Sequence, residues 1–233
     1  MRGMSRPRAL LAVVALLTIG LVGCSKDKPA ATPQLPAGTT LVSESATATS
    51  AVQSAHVKID TEGEVGSLPM RRAEGDLLRS GDSKGTIQLS TFGMLIESNF
   101  VVLGKTIYLK GATGGWQTLD ASVASSIYDP SAILDPNRGI AKLLSTAKEP
   151  TTEAKESVNG KDAYRVAVKL DSSSVTALVP GIGGEVTGKV WVDAQTKQLV
   201  KAVLTVPGAT ADKKGTVTIN VTNIDVPVTV SAP

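Results

Sequence analysis

The chain has 233 residues, with 24 Lys and Arg against 21 Asp and Glu and a single cysteine. One thiol rules out an internal disulfide. The formal charge of +3 comes from Arg2, Arg6 and Arg8, so residues 24–233 balance at zero and offer no basic patch for nucleic acid.

The N-terminus carries those three arginines and no acid before an apolar run from Ala9 to Val22. A basic head, a short apolar stretch and a small-residue end predict a secretory signal over 1–23. The run falls short of the roughly 20 apolar residues a membrane span needs. It ends Leu21-Val22-Gly23-Cys24, which resembles the bacterial lipobox. That resemblance implies a diacylglycerol on the Cys24 sulfur, with Cys24 as the new, N-acylated terminus. No other cofactor is expected. Residues 24–38, rich in proline and small residues, read as a flexible tether reaching roughly 20 Å. Residues 39–233 are long enough for one domain with a sizeable core.

The domain begins with a predicted helix near 40–54, where Leu41, Val42, Ala46 and Val52 share a face. The apolar period then switches to two. Val57 and Ile59, Ile87 and Leu89, the runs "MLIESNFVVL" and "KTIYLK", then Tyr164, Val166, Val168 and Leu170, and Val186, Gly188, Val190 and Val192 all alternate with polar neighbours. "KAVLTV" and "TVTINVTNI" continue the pattern. Clean alternation is the habit of antiparallel sheets with one buried face. Asn159-Gly160 marks a hairpin, and Gly81-Asp82, Gly104-Lys105, Gly114-Gly115 and 193–198 mark further turns.

Residues 120–150 break the strand pattern. Asp129-Pro130 and Asp135-Pro136 each place an N-cap before a first-turn proline, predicting two helix starts. Ile140, Leu143, Leu144 and Ala147 form a stripe, and Pro150 is expected to stop it. A shorter helix is expected near 172–179. The fold class is α+β: a single domain in which helices near 130–148 cover one face of a curved antiparallel sheet.

Motifs that suggest chemistry do not hold up in context. "GDSKG" (81–85) puts Ser83 at a nucleophile position, but it joins two strands, which predicts a polar hairpin instead of a strand-to-helix elbow. The one histidine, His56, precedes Ser83, against the order that elbow requires. "GGEVTGK" (183–189) is followed by Val190, where a phosphate loop needs Ser or Thr. Glu62 and Glu64 share a strand face, a weak signal. No catalytic residue and no metal site are assigned. An ordinary closed core or a cavity with aliphatic walls is compatible with the strand pattern, which is poor in aromatics, with seven in all.

"SAHVKI" (54–59), "FVVLGKTIYL" (100–109), Trp116 and "IYDPSAILDPNRGIAKLL" (127–144) together resemble the mycobacterial lipoprotein family of LprG, LprA, LprF and LppX. The resemblance spans about 40–225. It implies a half-barrel, a sheet curled over helices around an apolar cavity. It also implies non-enzymatic carriage of multi-acylated lipids: triacylated glycolipids, lipoarabinomannan-type molecules, triacylglycerol or wax esters. It further implies an exported, lipid-anchored location and a major-facilitator exporter as partner. The family's cavity-wall valine falls on Ile87, with Leu89 beside it. Strand phase then extends the candidate lining to Ile87, Leu89, Ile96, Phe100, Val102, Val166, Val168 and Val190. The competing expectation is an envelope scaffold lipoprotein with a closed core.

Overall fold

The computed structural model describes residues 34–65, 69–91, 93–111, 114–120, 132–178, 182, 184–208 and 213–233. The chain divides at Gln34, and Leu35–Pro233 forms one compact unit. The signal, Cys24, Asp129-Pro130 and the loop residue Gly183 lie outside the described residues, as do the side chains of Ala177 and Leu178.

Among the described residues, eleven strands make one antiparallel sheet. In chain order they are β1 (Ser54–Gly63), β2 (Met70–Leu78), β3 (Ser83–Thr91), β4 (Met94–Leu103), β5 (Thr106–Lys110) and β6 (Trp116–Asp120). They continue with β7 (Lys148–Val158), β8 (Lys161–Leu170), β9 (Val186–Asp193), β10 (Leu199–Pro207) and β11 (Lys214–Thr222). The spatial order is β6-β5-β4-β3-β2-β1-β11-β10-β9-β8-β7. Two meanders, β1–β6 and β7–β11, therefore meet along one seam, where His56 pairs with Thr222 and Ile59 with Ile219. The sheet does not close, because β6 and β7 remain its two edges.

Among the described residues, three helices accompany the sheet: α1 (Gly38–Ser50), α2 (Ile140–Ser145) and α3 (Ser172–Leu178). Leu41, Val42 and Ala46 of α1, Ile140, Leu143 and Leu144 of α2, and Val175 of α3 join the main apolar cluster. That cluster also holds Ala55, Val57 and Ile59 of β1, Leu77 of β2, and Val166, Val190, Leu204 and Val217 further along the sheet. The helices thus cover one face, here called the inner face. Each Leu or Val so buried contributes about 1.5–3 kcal/mol.

The turns follow local chemistry. Asn159 (φ 52°) and Gly160 (φ 77°) both adopt positive φ between β7 and β8, the hairpin geometry that Asn-Gly favours. Between β9 and β10, the Asp193 carboxylate accepts the N–H groups of Gln195 and Thr196, both at 2.8 Å. Burial pushes that carboxyl up, but these backbone donors and the Thr196 hydroxyl outweigh it and hold Asp193 below the usual carboxylate range.

Several expectations are corrected. The first helix starts at Gly38 and ends at Ser50, and β1 begins at Ser54, inside the predicted helix. The folded unit therefore takes in the end of the predicted tether. Asp135-Pro136 does not start a helix. Asp135 instead caps a turn, accepting Asn137 N–H at 2.8 Å and Arg138 Nε at 2.8 Å, and α2 begins five residues later behind Gly139. The Arg138 bond and the backbone donors at 137 and 138 hold the Asp135 carboxyl low. Pro150 does not end a helix, since α2 stops at Ser145 and Pro150 sits within β7. An edge strand tolerates a residue that cannot donate. Strands β2, β6 and β7 are additions to the predicted set.

Candidate functional site

Antiparallel pairing puts directly opposed residues on one face, so the inner face can be traced across the sheet. From the seam it runs Ile59–Ala73–Ile87–Ser98 in one direction and Ile219–Ala202–Val190–Val166 in the other. A neighbouring row is Val221–Val57–Gly75–Gly85–Phe100–Leu109. All eight lining candidates lie on this face: Ile87 and Leu89 on β3, Ile96, Phe100 and Val102 on β4, Val166 and Val168 on β8, and Val190 on β9.

Their environments differ. Val166, Val168, Val190 and Val102 are buried, the first three at 3% exposure or less within the helix-covered cluster. Ile87, Leu89 and Phe100 are half-buried, and Ile96 is 40% exposed. The inner face is therefore sealed under the helices on the β8–β10 side and partly open on the β3–β4 side. Leu109 is half-buried and Leu119 is exposed on the same open side; the strand pattern around them could have nominated both.

Gly75, which is buried, and Gly85, which is half-buried, face each other where β2 meets β3. A Cβ on Gly75 would stand 2.3 Å from the Lys84 carbonyl oxygen, and one on Gly85 would stand 2.7 Å from the Gly75 Cα. The two backbones are in contact, and neither residue has a side chain to fill its place in the row. The result is a shallow furrow between Val57 and Phe100, bordered along β3 by Ile87. Sequence reading missed it, although Ala73, Gly75 and Leu77 alternate with Glu74 and Asp76.

The outer face is charged. Asp76 Oδ1 lies 2.8 Å from His56 Nδ1, and Asp60 accepts from Arg72 Nε at 2.7 Å. Farther along, Arg165 bridges Glu153 (2.8 Å) and Glu156 (2.6 Å), Lys189 reaches Glu153 at 2.9 Å, and the Trp191 indole donates to Glu156. Hydrogen bonds from Lys189 and Arg165 hold the Glu153 carboxyl below its usual range, and the bond to Glu153 raises Arg165. His56 thus belongs to a solvated ion ladder. Among the described residues, no group of three or more His, Cys, Asp or Glu side chains could hold a metal ion, and no helix is long and apolar enough to cross a membrane.

Ser83 lies in the β2–β3 hairpin as expected, but its setting is apolar, not polar. It is fully buried at the start of β3, on the inner face between Leu77 and Val102, and its hydroxyl has no hydrogen-bond partner among the described residues. No base reaches it. A buried unpaired hydroxyl costs about 1–3 kcal/mol. Ser83→Ala is therefore expected to raise the melting temperature in a thermal unfolding scan, by roughly 2–4 °C for each kcal/mol relieved. A lower melting temperature would mean that the hydroxyl is paired.

The architecture is an open antiparallel half-barrel with a helix-covered apolar inner face and a charged outer face. The sequence profile of the LppX_LprAFG lipoprotein family matches residues 37–230, and the chain belongs to that family. It is 32% identical over 209 residues to the lipoarabinomannan carrier protein LprG of Mycolicibacterium smegmatis, covering 86% of this chain and 88% of that one. It is 30% identical to the protein of the same name from Mycolicibacterium hassiacum, covering 98% of each. LprF from Mycobacterium bovis shares the fold with a TM-score of 0.71 at 24% identity, over 84% of this chain and 96% of that one. LppX from Mycobacterium tuberculosis does so with a TM-score of 0.63 at 22% identity, over 83% and 97%.

Proposed function

We propose that the protein is a membrane-tethered carrier of acylated lipids or glycolipids in the cell envelope. The observation that carries this reading is the half-open inner face, whose apolar residues Ile87, Leu89, Phe100 and Ile96 are left incompletely covered on the β3–β4 side. Acyl chains enter along the Gly75–Gly85 furrow, and the polar headgroup stays at the mouth. Burial of alkyl chains is non-directional and scales with area, at about 25 cal/mol per Å², so aliphatic walls suffice without convergent polar groups. No catalytic step is needed. Cys24 carries the diacylglycerol and N-acyl anchor after removal of 1–23. The relatives named lipoarabinomannan carrier proteins support an acylated glycolipid as cargo. In this reading a major-facilitator-type exporter is the partner.

The test is a native mass spectrum of residues 35–233 produced in a mycolate-containing host. Co-purified masses of multi-acylated lipids are the expected result and would begin to identify the cargo. A bare polypeptide mass, under conditions that preserve known lipid complexes, would sink the carrier reading in favour of a closed-core scaffold.

A further inference from the structure

All strands of the sheet terminate on two rims. One rim gathers the ends of β1, β3, β5, β8 and β10 and the starts of the others, as the pairs Gly63–Gly215, Thr91–Met94, Lys110–Trp116 and Leu170–Val186 mark out. The opposite rim carries the turns Arg79–Asp82, Gly104–Lys105, Asn159–Gly160 and Ala194–Lys197, which are polar or charged.

Exposed apolar side chains concentrate on the first rim. Of the seven large apolar residues exposed among the described residues, Met94, Leu95 and Ile96 at the start of β4 and Trp116 at the start of β6 sit there. Met94 and Leu95 are the most exposed, at 63% and 61%. In the hairpin register, Met94 and Ile96 project from the inner face and Leu95 from the outer one. From Leu89 to Ile96 the sequence carries no charge. Beside this hairpin end, Lys110 pairs in register with Trp116, and the Arg71 guanidinium donates to the Gly63 carbonyl. Neither cation has a carboxylate partner among the described residues.

The chain enters the folded unit alongside edge strand β7, where the Thr152 hydroxyl donates to the Pro36 carbonyl at 2.7 Å and Gly38 packs against the Pro150 carbonyl.

We propose that this rim is a membrane-docking edge, with the β3–β4 hairpin end as its wedge. Met94, Leu95 and Ile96 enter the acyl region of a phospholipid bilayer, Trp116 sits at the interface, and Lys110 and Arg71 meet headgroup phosphates. A bilayer is the fitting occupant because successive residues of the hairpin end expose apolar groups on opposite faces. A fluid medium covers both at once, whereas a protein groove covers one. Trp beside Lys or Arg is the composition of a membrane interface. The arrangement also serves transfer. Ile96 belongs both to the wedge and to the inner face, where it pairs with Leu89, so an acyl chain passes from bilayer to furrow along continuous apolar surface. The proposal rests on the carrier reading above, which supplies the anchor at Cys24.

Residues 35–233 carry the whole described core as one compact unit and can be tested without the anchor. Sedimentation with vesicles of mixed phosphatidylcholine and phosphatidylglycerol is expected to pull down the wild-type unit. The double variant Met94→Ser, Leu95→Ser is expected to bind about tenfold more weakly. Val226→Ser, an exposed apolar position near the opposite rim, is expected to leave binding unchanged. The lipid masses co-purified with the double variant are expected to match those of wild type. Wild-type protein that stays in the supernatant, a double variant that sediments like wild type, or an equal loss in Val226→Ser would each overturn the docking edge and leave the carrier reading standing. Vesicle binding lost with the wedge, in a protein that carries no lipid at all, would uphold docking and remove the carrier reading.

Discussion

Gly139→Ala is expected to lower the melting temperature of the protein by about 6–12 °C. The position ends the Asp-Pro-Asn-Arg-Gly element that precedes α2. Gly139 N–H donates to the Asp135 carbonyl at 2.7 Å, and the next residue, Ile140, donates to the Ile133 carbonyl at 3.1 Å. A Cβ on Gly139 would lie 2.4 Å from the Ile133 carbonyl oxygen and 2.5 Å from those of Ala132 and Asp135. These are backbone atoms that cannot swing aside. Ala132, Ile133 and Leu134 are themselves buried, as are Ile140, Leu143 and Leu144 just after, so the turn cannot open without withdrawing both apolar segments from the core. Overpacking of this kind costs about 3 kcal/mol, and a domain of this size loses roughly 2–4 °C per kcal/mol. Gly115→Ala is the matched control, because a methyl there meets nothing within 4 Å. Calorimetry that found the two variants equally stable would show that the turn is far looser than its hydrogen bonds indicate.

Ile87→Trp is expected to empty the protein of lipid without unfolding it. Ile87 stands in register between Ala73 and Ser98, two small neighbours, and its own side chain is only half-buried. An indole there spreads over the Gly75–Gly85 furrow. Displacing about 60 Å² of acyl contact at ~25 cal/mol per Å² weakens loading by ~1.5 kcal/mol, about tenfold. Lipid per protein in the native mass spectrum should fall by that factor, while the melting temperature moves by no more than a few degrees. Val190→Trp makes the contrast. Val190 is 1% exposed under the helices, so the same substitution there should unfold the core. If Ile87→Trp loads as well as wild type with the fold intact, the furrow is not where the chains lie.

The inner face was legible in the sequence because alternation is a local signal. Each strand reveals its own phase, and the eight lining candidates, Ile87 taken from the family resemblance and the rest from strand phase, fall on one side. What alternation could not supply is which of them the helices would seal. Val166 and Ile87 look alike in sequence and differ only in what packs above them. Strand β2 escaped notice because its inner residues include Ala73 and Gly75, too small to register as apolar. β7 escaped because it is an edge strand of alternating polar residues whose proline suggested a stop. The Asp135-Pro136 pair satisfied the usual helix-start chemistry, yet Asp135 spends its carboxylate on a turn that Gly139 then closes. The setting of Ser83 was misread because five small or polar residues resemble a loop, whereas the inner face begins at its Cβ. The pairing of β1 with β11 is a long-range choice that leaves no local trace.

That seam also sets the order in which the molecule can assemble. Every other strand pairing joins neighbours in the chain or closes a short hairpin, so each meander can form early and fast. The β1–β11 ladder must instead bring His56 to Thr222 across nearly the whole domain, and its loop-closure entropy falls on the last step. Until β11 is in place, β1 presents an unpaired edge beside an uncovered apolar face, the combination most open to pairing with another chain. The final strand thus completes the apolar inner face and removes the most hazardous edge of the folding intermediate. A chain cut short before Lys214 lacks both.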